Sequence, residues 1–175
     1  MNSFYSEEEL KNLGIKFGKN CLISRKASFY GDISIGDNVR IDDFCILSGK
    51  IKIGSYVHIS AYCVFYGSEG IEIEDYVGVS TRCTILTLSG DFSGNYLAGS
   101  MCPKEMRNDT GGKVKIGNYC AIGVSSVILP NLTIEEGVAV GSLSLVNKTL
   151  DKWGIYVGIP VKRIKERSKK LLDLL

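Results

Sequence analysis

Few side chains in this sequence are placed to do chemistry. His58 is the only histidine, and so the only side chain whose unperturbed pKa lies near neutrality. There are six cysteines, but no two form a CxxC pair, and one histidine cannot complete the usual spacing of a zinc site. Asp91 stands in the stretch SGDFSG, where a carboxylate can accept a proton or serve as a turn residue bonded to its own backbone. Tyr66, Arg82, Arg107 and Asn108 lie in or beside breaks in the sequence pattern. A guanidinium at Arg82 or Arg107 would suit a diphosphate bidentately, and would serve equally well as a loop anchor.

The elements that position these residues follow from a six-residue repeat. Starting at Phe17, every sixth residue through Phe65 is apolar; the phase slips by two, resumes at Ile73, Val79 and Ile85, and returns from Ile116 to Val146. A second track, four residues later, contains Cys21, Cys45, Cys63, Cys83 and Cys120. Five cysteines therefore read as core filler, because a buried free thiol behaves as a small hydrophobe; only Cys102 stands apart. Gly18, Gly36, Gly54 and Gly117 group the hexads in threes, as turn glycines of eighteen-residue coils. The sequence predicts an all-β solenoid, a parallel β-helix of about six coils, roughly 30 Å tall at ~4.8 Å per strand. A β-sandwich would alternate with period two and keep no six-residue clock.

Both interruptions fall at one corner, between a coil's third strand and the next coil's first. One is the short insertion around Tyr66 to Gly70; the other is the polar, glycine-rich excursion from 88 to 112. Long loops in compact domains are usually functional or disordered, so two neighbouring elaborations at one edge point to a built site. The expected layout is a single domain with a cap helix at 6–14, coils at 17–86 and 114–151, the extruded loop at 88–112 and a C-terminal helix at 160–175. Ser6 with Glu9 forms a capping box and Gly14 a stop. After Pro160, Val161, Ile164, Leu171 and Leu172 are expected to face the body.

Composition narrows the function classes. The chain has 175 residues, 45% hydrophobic and 23% charged, within the range of one soluble domain. A net charge of +2 argues for neither nucleic acid nor an anionic membrane as partner, and no stretch approaches the ~18 apolar residues of a membrane span. The start, MNSFYSEEEL, lacks the basic-then-apolar order of a signal peptide, so a cytoplasmic location without disulfides is expected.

The hexads IGDNVR, IGSYVH, IGNYCA and IGVSSV, followed by VGIPVKRIKER, resemble the hexapeptide-repeat acyltransferases from about residue 17 to 167. More narrowly, FYSEEEL, RIDDFCILSG and DFSG are similar to N-acyltransferases of dTDP-linked 4-amino-4,6-dideoxy sugars. The resemblance implies a left-handed coil, a homotrimer, active sites between adjacent subunits, a nucleotide-linked sugar as substrate and acyl-CoA as co-substrate, with acetyl-CoA the expected donor. Transfer from a thioester needs a base to collect the acceptor's proton and donors for the developing oxyanion. Related sugar O-acetyltransferases carry a histidine in the extruded loop, which here has none. A hydroxyl acceptor gains much from a histidine base, whereas an amine can arrive partly neutral and needs only a carboxylate. The loop therefore favours N-acylation, with Asp91 as leading base, and the resemblance places Thr81 nearby as a hydroxyl relay. His58 is the rival catalytic candidate, able to reach a site only across a subunit boundary.

For the donor, the family's contacts carry over to Val124 and Ser142 through backbone groups and to Lys148 and Lys162 as phosphate partners, with Lys165 beside them. Val124 stands where a small residue is common and Asn147 where a threonine is, so the pantetheine contacts are expected to differ. The acceptor pocket is assigned to Tyr66, Arg82, Arg107 and Asn108. Three other readings use the same solenoid. A sugar O-acetyltransferase is opposed by the histidine-free loop, a metal hydratase needs three histidines, and a non-catalytic scaffold would have no use for loop and tail together.

Overall fold

Residues 3–175 are described by a computed structural model, and the hexad clock is written directly into its strand ladder. Ile23 pairs in parallel with Ile41, Ile41 with Ile59, and Leu47 with Phe65, each eighteen residues on. Beyond the short insertion the register continues as Ile53 with Ile73 and Ile59 with Val79. Beyond the long excursion Ile73 still pairs with Ile116, and Val79 with Ile122. The long excursion is therefore extruded without disturbing the stack. The short insertion is absorbed within the strand Val64–Ile73, where the pairing with the neighbouring strand shifts register between Gly49 and Ile51. The result is a parallel β-helix whose strands form two sheets, one of nine strands spanning two faces and one of eight.

Its interior is one apolar column. The first track is buried throughout apart from Phe17 and Phe29, which pack half-covered at the open first coil. Cys45, Cys63, Cys83 and Cys120 lie within the column as free thiols. Burial pushes the Cys120 thiol up to about 12, so it stays neutral and inert.

The corners differ from the expectation in one respect. Gly36 is required by close approach, since a Cβ there would lie 2.7 Å from the backbone of Gly54 in the next coil. The left-handed backbone falls two residues later, on Asn20, Asn38, Tyr56, Tyr76, Tyr119 and Trp153 (φ 56 to 63°). Such a φ costs an L-residue roughly 1–2 kcal/mol. Stacking between coils offsets it: Tyr56 lies 4.8 Å from Tyr76, Tyr76 5.4 Å from Tyr119, and Asn20 donates to Asn38 at 3.1 Å.

The N-terminal helix, Glu7–Asn12, begins with the expected reciprocal box between Ser6 and Glu9 and buries Leu10 over the first coil. Arg25 clamps Glu9 from the coil itself with bonds of 2.5 and 2.7 Å. The expected C-terminal helix at 160–175 is not formed. Lys162–Glu166 is instead a strand, antiparallel to Gly154–Val157, and only a short 3-10 turn follows at Lys170–Leu174. The cause is the last strand's open edge, whose unpaired backbone groups are satisfied when the chain folds back on them. Val161 is buried, but Ile164 points outward at 56% exposure, so the apolar spacing there never formed one helical face. Arg167 secures the tail, its Nη1 donating to the carbonyls of Tyr119, Gly137 and Val138.

Candidate active site

The extruded loop leaves the solenoid through a narrow neck. Leu88–Ser89 pairs antiparallel with Thr110–Gly111, and the Gly112 amide closes the neck on the Thr87 carbonyl at 2.9 Å. Gly111 is obligatory there, because a Cβ would come within 2.3 Å of that carbonyl oxygen. Beyond the neck the chain folds on itself, with the Leu97 amide donating to the Met106 carbonyl and one 3-10 turn at Lys104–Met106. The cleft within the loop, about 380 Å³, is lined by Gly94, Asn95, Tyr96, Leu97, Glu105 and Met106. Phe92 and Met101 project almost fully exposed, at 91% and 96%.

Asp91 organises the first turn of the loop. Its carboxylate accepts from Ser93 Oγ at 2.9 Å, from the Gly94 amide at 3.0 Å and from the Tyr96 amide at 3.4 Å. Desolvation works to raise its pKa, but these bonds outweigh it and hold the carboxyl below its ordinary value. Thr81 does not bond to Asp91 within the chain; its hydroxyl donates to the Ala61 carbonyl at 2.6 Å. His58 begins the strand His58–Ile59 in the other sheet, with Nε2 2.8 Å from Asp42 Oδ2. Arg40 holds the second oxygen of Asp42 at 2.7 Å. Desolvation would raise Asp42, yet Arg40 and His58 together hold it below the usual carboxylate range. This carboxylate orients His58, a role that sequence reading missed because Asp42 looks like an ordinary corner residue.

The acceptor candidates divide in two. Tyr66 is half exposed beside the short insertion, and Arg82 occupies a left-handed corner (φ 60°) with its guanidinium 6.0 Å from the Tyr62 ring. Arg107 is committed to the loop, donating to the Ser100 carbonyl at 2.9 Å and pairing with Asp109 at 3.4 Å, which is the anchor role. Asn108 beside it is exposed.

Of the donor candidates, Val124 and Ser142 come together. Val124 and Ser142 occupy equivalent corners of adjacent coils, tied by the Leu143 amide donating to the Val124 carbonyl at 2.8 Å. Beside them Gly123 leaves the backbone bare, since a Cβ would lie 2.5 Å from the Ser142 nitrogen. The tail returns to the same coil where the Val161 amide meets the Leu145 carbonyl at 3.0 Å. Lys162 follows directly on that contact and Lys148 stands three residues beyond Leu145, both exposed.

Known proteins share this fold. The model of the bacterial transferase hexapeptide family (six repeats) matches residues 32–67. The dTDP-4-amino-4,6-dideoxy-D-glucose acyltransferase of Escherichia coli is 44% identical over 178 residues, covering 98% of this chain and 93% of that protein. The chain is a hexapeptide-repeat acyltransferase of the dTDP-4-amino-4,6-dideoxy-sugar family. The acyltransferase superposes on AntD, an N-acyltransferase from Bacillus cereus, solved as a serine-to-alanine variant with dTDP-4-amino-4,6-dideoxyglucose and coenzyme A. The TM-score is 0.96 at 52% identity, over 99% of this chain and 96% of that one. AntD has also been solved with dTDP and 3-hydroxybutyryl-CoA, matching at TM-score 0.95 and 52% identity over 99% of this acyltransferase and 95% of AntD.

Proposed function

We propose that the chain transfers the acyl group of an acyl-CoA to the 4-amino nitrogen of a dTDP-linked 4-amino-4,6-dideoxy sugar, with Asp91 handling the proton. The observation that carries this reading is the histidine-free extruded loop, whose carboxylate is held ionised at its base, on a chain alike end to end with N-acyltransferases of such sugars. Solved AntD variants alter a serine and an aspartate ten positions apart, and Thr81 and Asp91 have that same separation.

Attack by the amine on the thioester carbonyl forms the C–N bond and places negative charge on the carbonyl oxygen, which backbone N–H groups in the cleft stabilise. The attacking nitrogen becomes cationic and must lose a proton. An ionised carboxylate accepts its hydrogen bond and orients the lone pair; a carboxyl of depressed pKa is a poor place to leave the proton, so it passes on as the C–S bond breaks. The departing thiolate, whose ordinary pKa is far higher, is the natural final acceptor.

The functional unit is a homotrimer acting in the cytoplasm. A neighbouring subunit seated on the loop would cover Phe92 and Met101, which are almost fully exposed in the single chain. In that assembly the Val124–Ser142 corner takes the pantetheine, while Lys148 and Lys162 take the coenzyme phosphates. The test is a thiol-release assay with a panel of acyl-CoAs and dTDP-4-amino-4,6-dideoxyglucose. Turnover supports the reading, and absence of any coenzyme A binding would return the chain to a scaffold.

A further inference from the structure

We propose that Thr87 is a positioning residue that latches the short insertion to the neck of the extruded loop, so that the acceptor pocket keeps a single shape. The two insertions are separate in sequence, and the strand ladder between Val64–Ile73 and Thr84–Leu86 runs only as far as the pair Tyr66–Leu86. Thr87 is fully buried, one of only four polar residues so placed among the described residues. A buried hydroxyl costs free energy unless bonded, and a valine of nearly the same shape would pack there without that cost. Every polar group of Thr87 is used, and each bond goes to one of the two insertions. Its Oγ1 donates to the Tyr66 carbonyl at 2.9 Å and accepts from the Glu69 amide at 3.1 Å. Its own amide donates to the same Tyr66 carbonyl at 3.0 Å. Its carbonyl accepts the Gly112 amide at the neck, where Gly111 leaves no space for a side chain. One residue thus holds the Tyr66 end of the short insertion and the exit of the loop that carries Asp91.

This inference rests on the acceptor sugar binding at the edge formed by the two insertions. Its test uses the full chain as Thr87→Val, which removes the hydroxyl, and Thr87→Ser, which restores it. Thr87→Val is expected to raise KM for dTDP-4-amino-4,6-dideoxyglucose roughly tenfold, the effect of leaving the Glu69 amide without its acceptor. It should leave KM for acyl-CoA unchanged and kcat within about twofold, and Thr87→Ser should bring the sugar KM back. Hydrogen exchange at the Glu69 amide, read without substrate, should quicken in Thr87→Val and recover in Thr87→Ser. Unchanged exchange overturns the latch, as does faster exchange with an unchanged sugar KM. Equal losses for both substrates, unrescued by serine, would make Thr87 a fold residue only and also overturn it. If the wild type turns over no nucleotide amino sugar, the functional reading fails, while the exchange data still decide whether the insertions are coupled.

Discussion

The hydroxyl of Ser93 lies 2.9 Å from each carboxylate oxygen of Asp91. With the amides of Gly94 and Tyr96 on the same carboxylate, the turn that shapes the loop also keeps its acid ionised. The two readings of Asp91, turn former and proton handler, are therefore compatible. An incoming amine would meet a carboxylate already charged and aimed.

Asp91→Asn keeps an acceptor for the turn and removes the charge. We expect kcat to fall by about 10²-fold, the usual worth of a positioned acid or base, with KM for acyl-CoA nearly unchanged. Steady-state kinetics with both substrates checks it. Full activity in this variant would shift the base's role to His58, which Asp42 already orients at 2.8 Å.

Lys148→Ala and Lys162→Ala should each raise KM for acyl-CoA about tenfold, the cost of one charge-assisted bond to a phosphate. Acyl-pantetheine, which lacks the coenzyme's 3′-phosphate and diphosphate, should be used equally well by variants and wild type. A parallel loss with acyl-pantetheine would place these lysines outside the phosphate site.

Acid should release the N-terminal helix. The Arg25 hydrogen bond, then those of Ser6, bring the Glu9 carboxyl down from 4.5 to about 2. A carboxyl depressed in the folded state contributes stability that is complete above its unfolded pKa and is lost as pH falls through the folded one. Protection of the Leu13 amide, which donates to the Glu9 carbonyl, should therefore decline between about pH 4.5 and 2. Glu9→Gln should remove that pH dependence, as followed by hydrogen exchange.

Much of the fold was legible in the sequence because each hexad forces one side chain into a column with no second option. Ile41, Leu47 and Ile59 are apolar for the same reason that they are fully buried. The insertions were legible as failures of that clock. The tail was not: Val161 and Ile164 are spaced as in a helix, while the deciding factor was the open edge of Gly154–Val157, a property of the assembled coil. Thr87 was missed for a similar reason, since its partners Tyr66, Glu69 and Gly112 are neighbours only once the coils have stacked. Among the candidate residues, Val124 and Ser142 came from the family resemblance, and their eighteen-residue separation stacks them on adjacent coils. The anchor role of Arg107 depends on the path of a loop with no repeat to guide it.

Arg167→Ala should detach the edge strand Lys162–Glu166 from the last coil. Losing a charged donor shared by the Tyr119, Gly137 and Val138 carbonyls should cost about 2 kcal/mol, read as a lower Tm. Acyl-CoA KM should rise with it, since Lys162 rides on that strand.

The central claim is that the acceptor is an amine. The most direct measurement follows thiol release from acyl-CoA with dTDP-4-amino-4,6-dideoxyglucose and, side by side, with the matched nucleotide sugar bearing a hydroxyl at carbon 4, products identified by mass. The account predicts an N-acyl product from the amino sugar and no turnover of the hydroxyl sugar. Acylation of the hydroxyl sugar, with the amino sugar left untouched, would contradict it.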